Sequence, residues 1–336
     1  ERVAPMALPV VMKYDTVQLP RNRLGLAKWT TDKKNPLTAR VFVNQVWQEL
    51  FGRGLVKTSG DFGMQGELPS NPALLDWLAV DFMEHNWDIK YLVKKIVSSA
   101  TYRQSAEISK EALQKDPENI YLSHAPRNRL KAEFIRDLVL STSGLLVPTI
   151  GGPSVKPYQP QGLWENATSG RGELATYKQD KGDKLYRRGM YTFIKLTVPP
   201  PSMVLFDASN RDQCEVTRLQ TNTPLQALAM MNDPTVLEGS RVFAQKLMEA
   251  KTAAEPAIEK AFRRIICRLP TSGERTILTK YYKEQLELFR TKQLDAAATV
   301  KVGEYPPNSS LDQPSMAALM KTINLIYNLE EAIVKS

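Results

Sequence analysis

The sequence predicts a mainly α-helical, multi-helix globular module with a small β element near 186–198 and long ordered loops. Three observations lead there. Apolar residues recur at helical spacing in stretches closed by capping residues. One segment, and only one of any length, alternates with period two. The proline- and glycine-rich stretches between them carry aromatic side chains, a composition that favours order. A chain of 336 residues can bury a sizeable core as one large domain or two coupled ones. Its 42% hydrophobic and 24% charged content places it with soluble globular proteins rather than disordered chains.

Residues 1–20 read as an extended, proline-punctuated lead-in from an upstream region, and Glu1 as a processed or fragment end. Asn22 to Trp29 makes a short helix. The rest of the chain is expected to be organised around the next helix: Asn35 caps it, Pro36 suits its first turn and Gly52 stops it. Leu37, Val41 and Phe51 form its apolar stripe, widened by Phe42, Val46 and Leu50, with Trp47 adding bulk. Arg40, Asn44 and Gln48 stand four apart on the remaining face. Such a polar ridge on a largely buried helix needs partners, either as a structural hydrogen-bond network or as the lining of a site. A glycine-rich loop runs from Gly52 to Ser70 around Asp61. Helices over Pro72–His85 and Ile89–Ala100 come next, the second capped by Asp88, and His85 reads as a C-terminal cap.

Ser105 to Leu122 is polar and partly helical. Arg127 to Ser143 reads as a helix whose charged face carries Arg129, Glu133, Arg136 and Asp137. Gly144 to Lys184 is a long irregular section with Tyr158, Trp164 and Tyr177, and Tyr186 to Val198 is the alternating strand. A charged loop over 206–218 leads into four helices, each with a start signal or an apolar stripe. They are Pro224–Met231 after Thr223, Pro234–Ala250 after Asp233, Glu255–Arg268, and one opened by the capping box Thr271…Glu274 and running to Thr291. A final helix spans Met316–Val334. The chain then divides into the lead-in 1–20, an N-terminal helical part 21–143, a loop-rich part 144–220 and a C-terminal helical part 221–336 that joins the first in one compact unit.

Several chemistries are excluded or disfavoured. No apolar run is long enough to span a bilayer. The net charge of +9 fits an acidic partner, yet the basic residues come only as doublets, such as Lys94-Lys95 and Arg187-Arg188, with no nucleic-acid-binding signature. Nucleic acid is therefore not an expected partner. The two cysteines, Cys214 and Cys267, allow neither a Cys-x-x-Cys-His haem attachment nor a zinc site, so no cofactor and no metal is expected in this chain. They read as a pair, if the chain is exported, or as buried thiols. His85 and His124 are the only histidines, and no Gly-x-Ser-x-Gly turn accompanies them, which argues against a serine hydrolase.

A carboxylate pair can hydrolyse glycosidic bonds without histidine. Glu133, Asp137 and Asp207 are the catalytic candidates. Arg40, Arg187, Arg188 and Arg218 can hold sulfate or carboxylate groups bidentately, Trp164 and Tyr158 can stack on sugar rings, and Asn44 and Asp61 complete the candidate ligand set.

Particular stretches carry a resemblance. These are Gln-Glu-Leu-Phe-Gly-Arg-Gly-Leu-Val (48–56), Ser-Gly-Asp-Phe-Gly (59–63), Leu-Pro-Ser-Asn-Pro-Ala-Leu-Leu-Asp-Trp-Leu-Ala (68–79) and Ser-Ser-Ala-Thr-Tyr-Arg-Gln-Ser (98–105). Gly-Gly-Pro-Ser-Val-Lys-Pro-Tyr-Gln-Pro (151–160), Leu-Tyr-Arg-Arg-Gly-Met-Tyr-Thr-Phe (185–193) and Thr-Asn-Thr-Pro-Leu-Gln-Ala-Leu (221–228) continue it. Together they resemble the planctomycete secreted-domain family of unknown function, a C-terminal module of exported proteins that often carry cytochrome c-like domains upstream. The resemblance implies an extracytoplasmic (periplasmic or secreted) location, haem only in upstream domains, and as partners other protein subunits or such a domain. It supplies no catalytic residues. The leading expectation is a non-catalytic interaction module of a cytochrome-associated or polysaccharide-processing system. The rivals are a carboxylate-dependent enzyme on anionic, sulfated polysaccharide and a structural scaffold.

Overall fold

The computed structural model describes residues 19–20, 22–168, 171–172, 174–209, 211–212 and 214–335. Nearly all of the expected lead-in lies outside them. The chain divides into two compact units, the first ending at Asn128 and the second running from Arg129 to Lys335. The mainly helical class predicted from the sequence holds in both. The helix ending at Ser143 lies in the second unit, where its apolar face packs on a helix a hundred residues further along.

Unit 1 contains α1 (Arg23–Thr30), α2 (Thr38–Phe51), α3 (Pro72–Glu84), α4 (Ile89–Val97) and α5 (Lys110–Lys115). Asn22, Asn71, Asp88 and Ser109 each accept a backbone N–H at the start of α1, α3, α4 and α5. The α2 cap works one step earlier than a simple cap: the Asn35 side chain accepts from Leu37 (3.0 Å) and Thr38 (3.1 Å), closing the turn through Pro36. The buried stripe of α2 is centred on Val43, Trp47 and Phe51 rather than on Leu37 and Val41, which are only half-buried. Those three pack with Leu75, Leu78 and Phe82 of α3 and Leu92 and Ile96 of α4 into one core. His85 ends α3 and its ring stacks on Tyr91.

Unit 2 contains α6 (Ala132–Ser143), α7 (Leu163–Thr168), α8 (Pro201–Leu205), α9 (Pro224–Asn232) and α10 (Pro234–Glu249). They are followed by α11 (Ala254–Ile266), α12 (Ser272–Arg290), α13 (Ala296–Thr299), α14 (Gln313–Tyr327) and α15 (Glu330–Ile333). The Arg127–Lys131 stretch expected to open α6 is extended instead, and the Leu130 N–H donates to the Ile333 carbonyl (2.7 Å). α14 lies at the centre of the main core, against α10, α11 and α12; Ala317, Ile323, Ile326 and Tyr327 are fully buried there. The last helix expected to reach Val334 breaks at Asn328, and α15 leads into the two-residue strand β2 (Val334–Lys335), which pairs with β1 (Asn128–Arg129).

The segment 186–198 is not a continuous strand. It forms 3₁₀ turns over Gly182–Tyr186 and Gly189–Tyr191 with isolated bridges at Arg187, Thr192 and between Lys195 and Val198. Among the described residues no long strand lies beside it to pair with, so the alternation has no sheet to serve. Cys214 and Cys267 are both free and exposed, which corrects both sequence readings, the pair and the buried thiols. No helix among the described residues is long and apolar enough to cross a membrane.

Candidate functional site

The candidate carboxylates lie in unit 2, and two of them are set by α6. This helix buries Ala132, Ile135 and Val139 toward α10, where Gly239 permits a close approach: a Cβ there would stand 2.4 Å from a Val139 methyl. Glu133 and Asp137, four apart, are therefore presented together on another face. Glu133 accepts two hydrogen bonds from the Arg218 guanidinium (2.8 and 3.1 Å), the bidentate geometry that suits arginine. Burial works to raise its carboxyl, but the Arg218 contacts and a backbone N–H outweigh it and hold Glu133 below its ordinary value.

Asp137 goes the other way. Burial pushes its carboxyl up, and the Gly189 N–H (2.6 Å) and the charges of Arg136 and Arg188 only partly oppose that. Gly189 is needed at this place, since a Cβ would lie 2.7 Å from the Glu133 carbonyl oxygen. Asp207 is half-buried in a knot of its own: it accepts from Arg129 (2.5 Å) and from the Thr221 amide (2.8 Å) and hydroxyl (3.0 Å). Burial would raise it, but these donors hold it below its usual value.

The predicted arginines divide by role. Arg187 is buried and donates to the carbonyls of Thr149, Gly151 and Pro153, with its guanidinium 3.8 Å from the centre of the Tyr191 ring. It locks the 149–153 turn. Arg188 is exposed, and its side chain makes no hydrogen bond or ion pair with a described residue. Trp164 is 1% exposed, packed edge-on to Tyr177, with Lys195 4.4 Å from its ring centre, so it offers no stacking platform. Tyr158 donates to buried Glu238 (2.9 Å) and accepts from the Glu304 amide (2.9 Å), again an internal tie.

Arg40, Asn44 and Asp61 belong to unit 1 and are engaged within it. Arg40 donates to Asp76 (2.7 Å) and the Pro36 carbonyl. Asn44, fully buried, brackets Val56 through both its amide and its carbonyl and reaches Ser59 (3.1 Å), while Ser59 donates to Gln48. The polar ridge of α2 is thus a structural network. Asp61 accepts from the Gly63 N–H (2.7 Å) and shapes a turn.

Sequence reasoning missed Arg211. It lines two open clefts of unit 2, one of about 400 Å³ beside Arg218, Asp212 and Glu215, and one of about 310 Å³ beside Met190, Tyr191 and Leu196. In the second cleft Arg211 is the charged lining residue. The signal was present in the run of charges over 211–218, but residue type alone does not say which arginine is left open. No cluster of three His, Cys, Asp or Glu side chains able to hold a metal occurs among the described residues. Nor do the residues present fit covalent haem: Cys214 and Cys267 are separate exposed thiols, and neither is followed by His.

Fold and surface together define a two-unit, mainly helical protein with an arginine-bearing cleft and internally paired carboxylates. The chain belongs to the PSD1 family, described as a protein of unknown function (DUF1553), whose model matches residues 22–282. No curated protein and no solved structure matches it.

Proposed function

We propose that this chain is a non-catalytic binding module of an exported assembly, and that the cleft formed by Met190, Tyr191, Leu196 and Arg211 takes an anionic polysaccharide. The observation that supports it best is the engagement of Glu133, Asp137 and Asp207. Each carboxylate already meets an arginine or a backbone N–H. The Arg188 and Arg211 side chains are exposed and lend Asp137 and Glu133 only their charge. Apolar and aromatic surface beside a cation suits a sugar ring bearing a sulfate or carboxylate. The resemblance to exported proteins with cytochrome c-like domains supports placing the module beside such a domain or another subunit.

A second reading has one observation in its favour. Glu133 is held down and Asp137 pushed up on the same helix face, the split that separates a base from an acid in glycoside hydrolysis. One experiment separates the two. The chain is titrated with a sulfated and with a neutral polysaccharide, and the mixtures are analysed for shortened products. Binding only to the sulfated polymer, weakened about tenfold in the Arg188→Ala/Arg211→Ala variant and by added salt, with no products, is expected. Products that vanish in Asp137→Asn establish the enzyme instead.

A further inference from the structure

We infer that unit 1 carries a binding cleft of its own, for a small organic carboxylate with an apolar body. The cleft, of about 290 Å³, opens at the C-terminal end of α2. Its inner surface is the stacked pair Trp47 and Phe51, with ring centres 4.2 Å apart, and the Gly52–Leu55 turn. Gly52 ends α2 with φ +78°, and a Cβ there would come within 2.2 Å of the Asn128 amide. The glycine therefore lets that amide lie flat on the helix end.

The facing wall, residues 116–126, is fixed in place by polar contacts. Buried Asp116 accepts from the amides of Ile120 (2.7 Å) and Tyr121 (2.8 Å). Asn119 donates to the His124 carbonyl (2.8 Å). Leu122 is held at φ +53°, a conformation that costs a leucine energy and persists only where its surroundings impose it. A cleft with walls this constrained is formed before any ligand arrives.

The polar lining chooses the ligand. His124 is spent inside the wall, its Nδ1 donating to the Ala125 carbonyl (2.9 Å). The Asn128 side chain lines the cleft, makes no hydrogen bond with a described residue, and leaves Nδ2 buried without an acceptor. A ligand oxygen in the cleft would be the acceptor that this N–H lacks. The charged lining is Arg53, Arg127 and Glu118, and Glu118 is already held by Arg53 (2.6 Å) and Lys57 (3.5 Å). Two arginines to one glutamate line the cleft, the unmet group is a donor, and Leu55, Ile120 and Leu122 supply apolar walls. The size, at the low end for organic ligands, fits a small molecule rather than a polymer.

The test uses the full chain, ¹⁵N-labelled, titrated with sodium benzoate and with neutral benzamide of the same shape. Saturable shifts confined to Gly52–Leu55, Asn119–His124 and Asn128 are expected, with benzamide and the Asn128→Asp variant each about tenfold weaker. If Asn128→Asp fails to fold, Asn128→Ala, which also removes the donor, replaces it with the same expectation. Absence of saturable shifts, shifts located elsewhere, benzamide binding as tightly as benzoate, or unchanged benzoate affinity in a folded variant would each overturn the assignment.

Discussion

At Asp137 two forces oppose each other. Burial favours the neutral acid, and the Gly189 N–H favours the ion. Burial prevails, so the folded protein holds this proton more tightly than the unfolded chain does. Stability from this group is complete below the ordinary carboxyl value of 3.8 and declines as pH rises through the higher folded value. Asp137→Asn keeps an oxygen for Gly189 and removes the charge. It should melt at or above the wild-type temperature at pH 7, with the advantage disappearing near pH 3, as a pair of melting curves across that range will show. Glu133 and Asp137 were legible as neighbours because helical spacing alone makes them so. Their partners were not: Arg218 and Gly189 lie far along the chain, and tertiary packing chose them. The same limit explains Trp164 and Arg187. Residue type announced what each side chain could hold, but burial assigned both to the interior.

Among the elements, helices were legible wherever a cap wrote their start. Asp88 before Ile89, Asp233 before Pro234 and the Thr271…Glu274 box each accept the orphan amides they were expected to accept. The alternating 186–198 segment misled because period two describes side-chain direction and says nothing about whether a second strand is at hand. The contact of α6 with α10 depends on one absence, the missing side chain of Gly239. Gly239→Ala should destabilise by about 1–3 kcal/mol through overpacking against Val139. Adding Val139→Ala should recover part of that loss relative to the sum of the two single changes. A double-mutant cycle by denaturant unfolding measures this, and strict additivity would refute the contact. Lys246 of α10 ties the same pair by donating to the Ser143 and Gly144 carbonyls at the end of α6 (3.0 and 2.9 Å).

In the molecule as a whole, each of the two units has its own buried cluster. Calorimetry should therefore resolve two transitions. Leu92→Ala, which empties part of the unit 1 core, should lower one of them, at a cost of about 2–5 kcal/mol. Phe262→Ala, in the unit 2 core, should lower the other by about 3–5 kcal/mol. A single endotherm moved equally by both variants would show that the units unfold together.

The place of α14 in the chain bears on how the protein is made. It comes after α6, α9, α10, α11 and α12, yet it fills the core that all five share. Unit 1 has all its core residues out of the ribosome long before this point and can fold as it is synthesised. Unit 2 must wait. Until Met316 to Tyr327 emerge, α10 and α11 hold their apolar stripes without the helix that covers them. That interval is when the nascent chain is most exposed to aggregation and most dependent on chaperones.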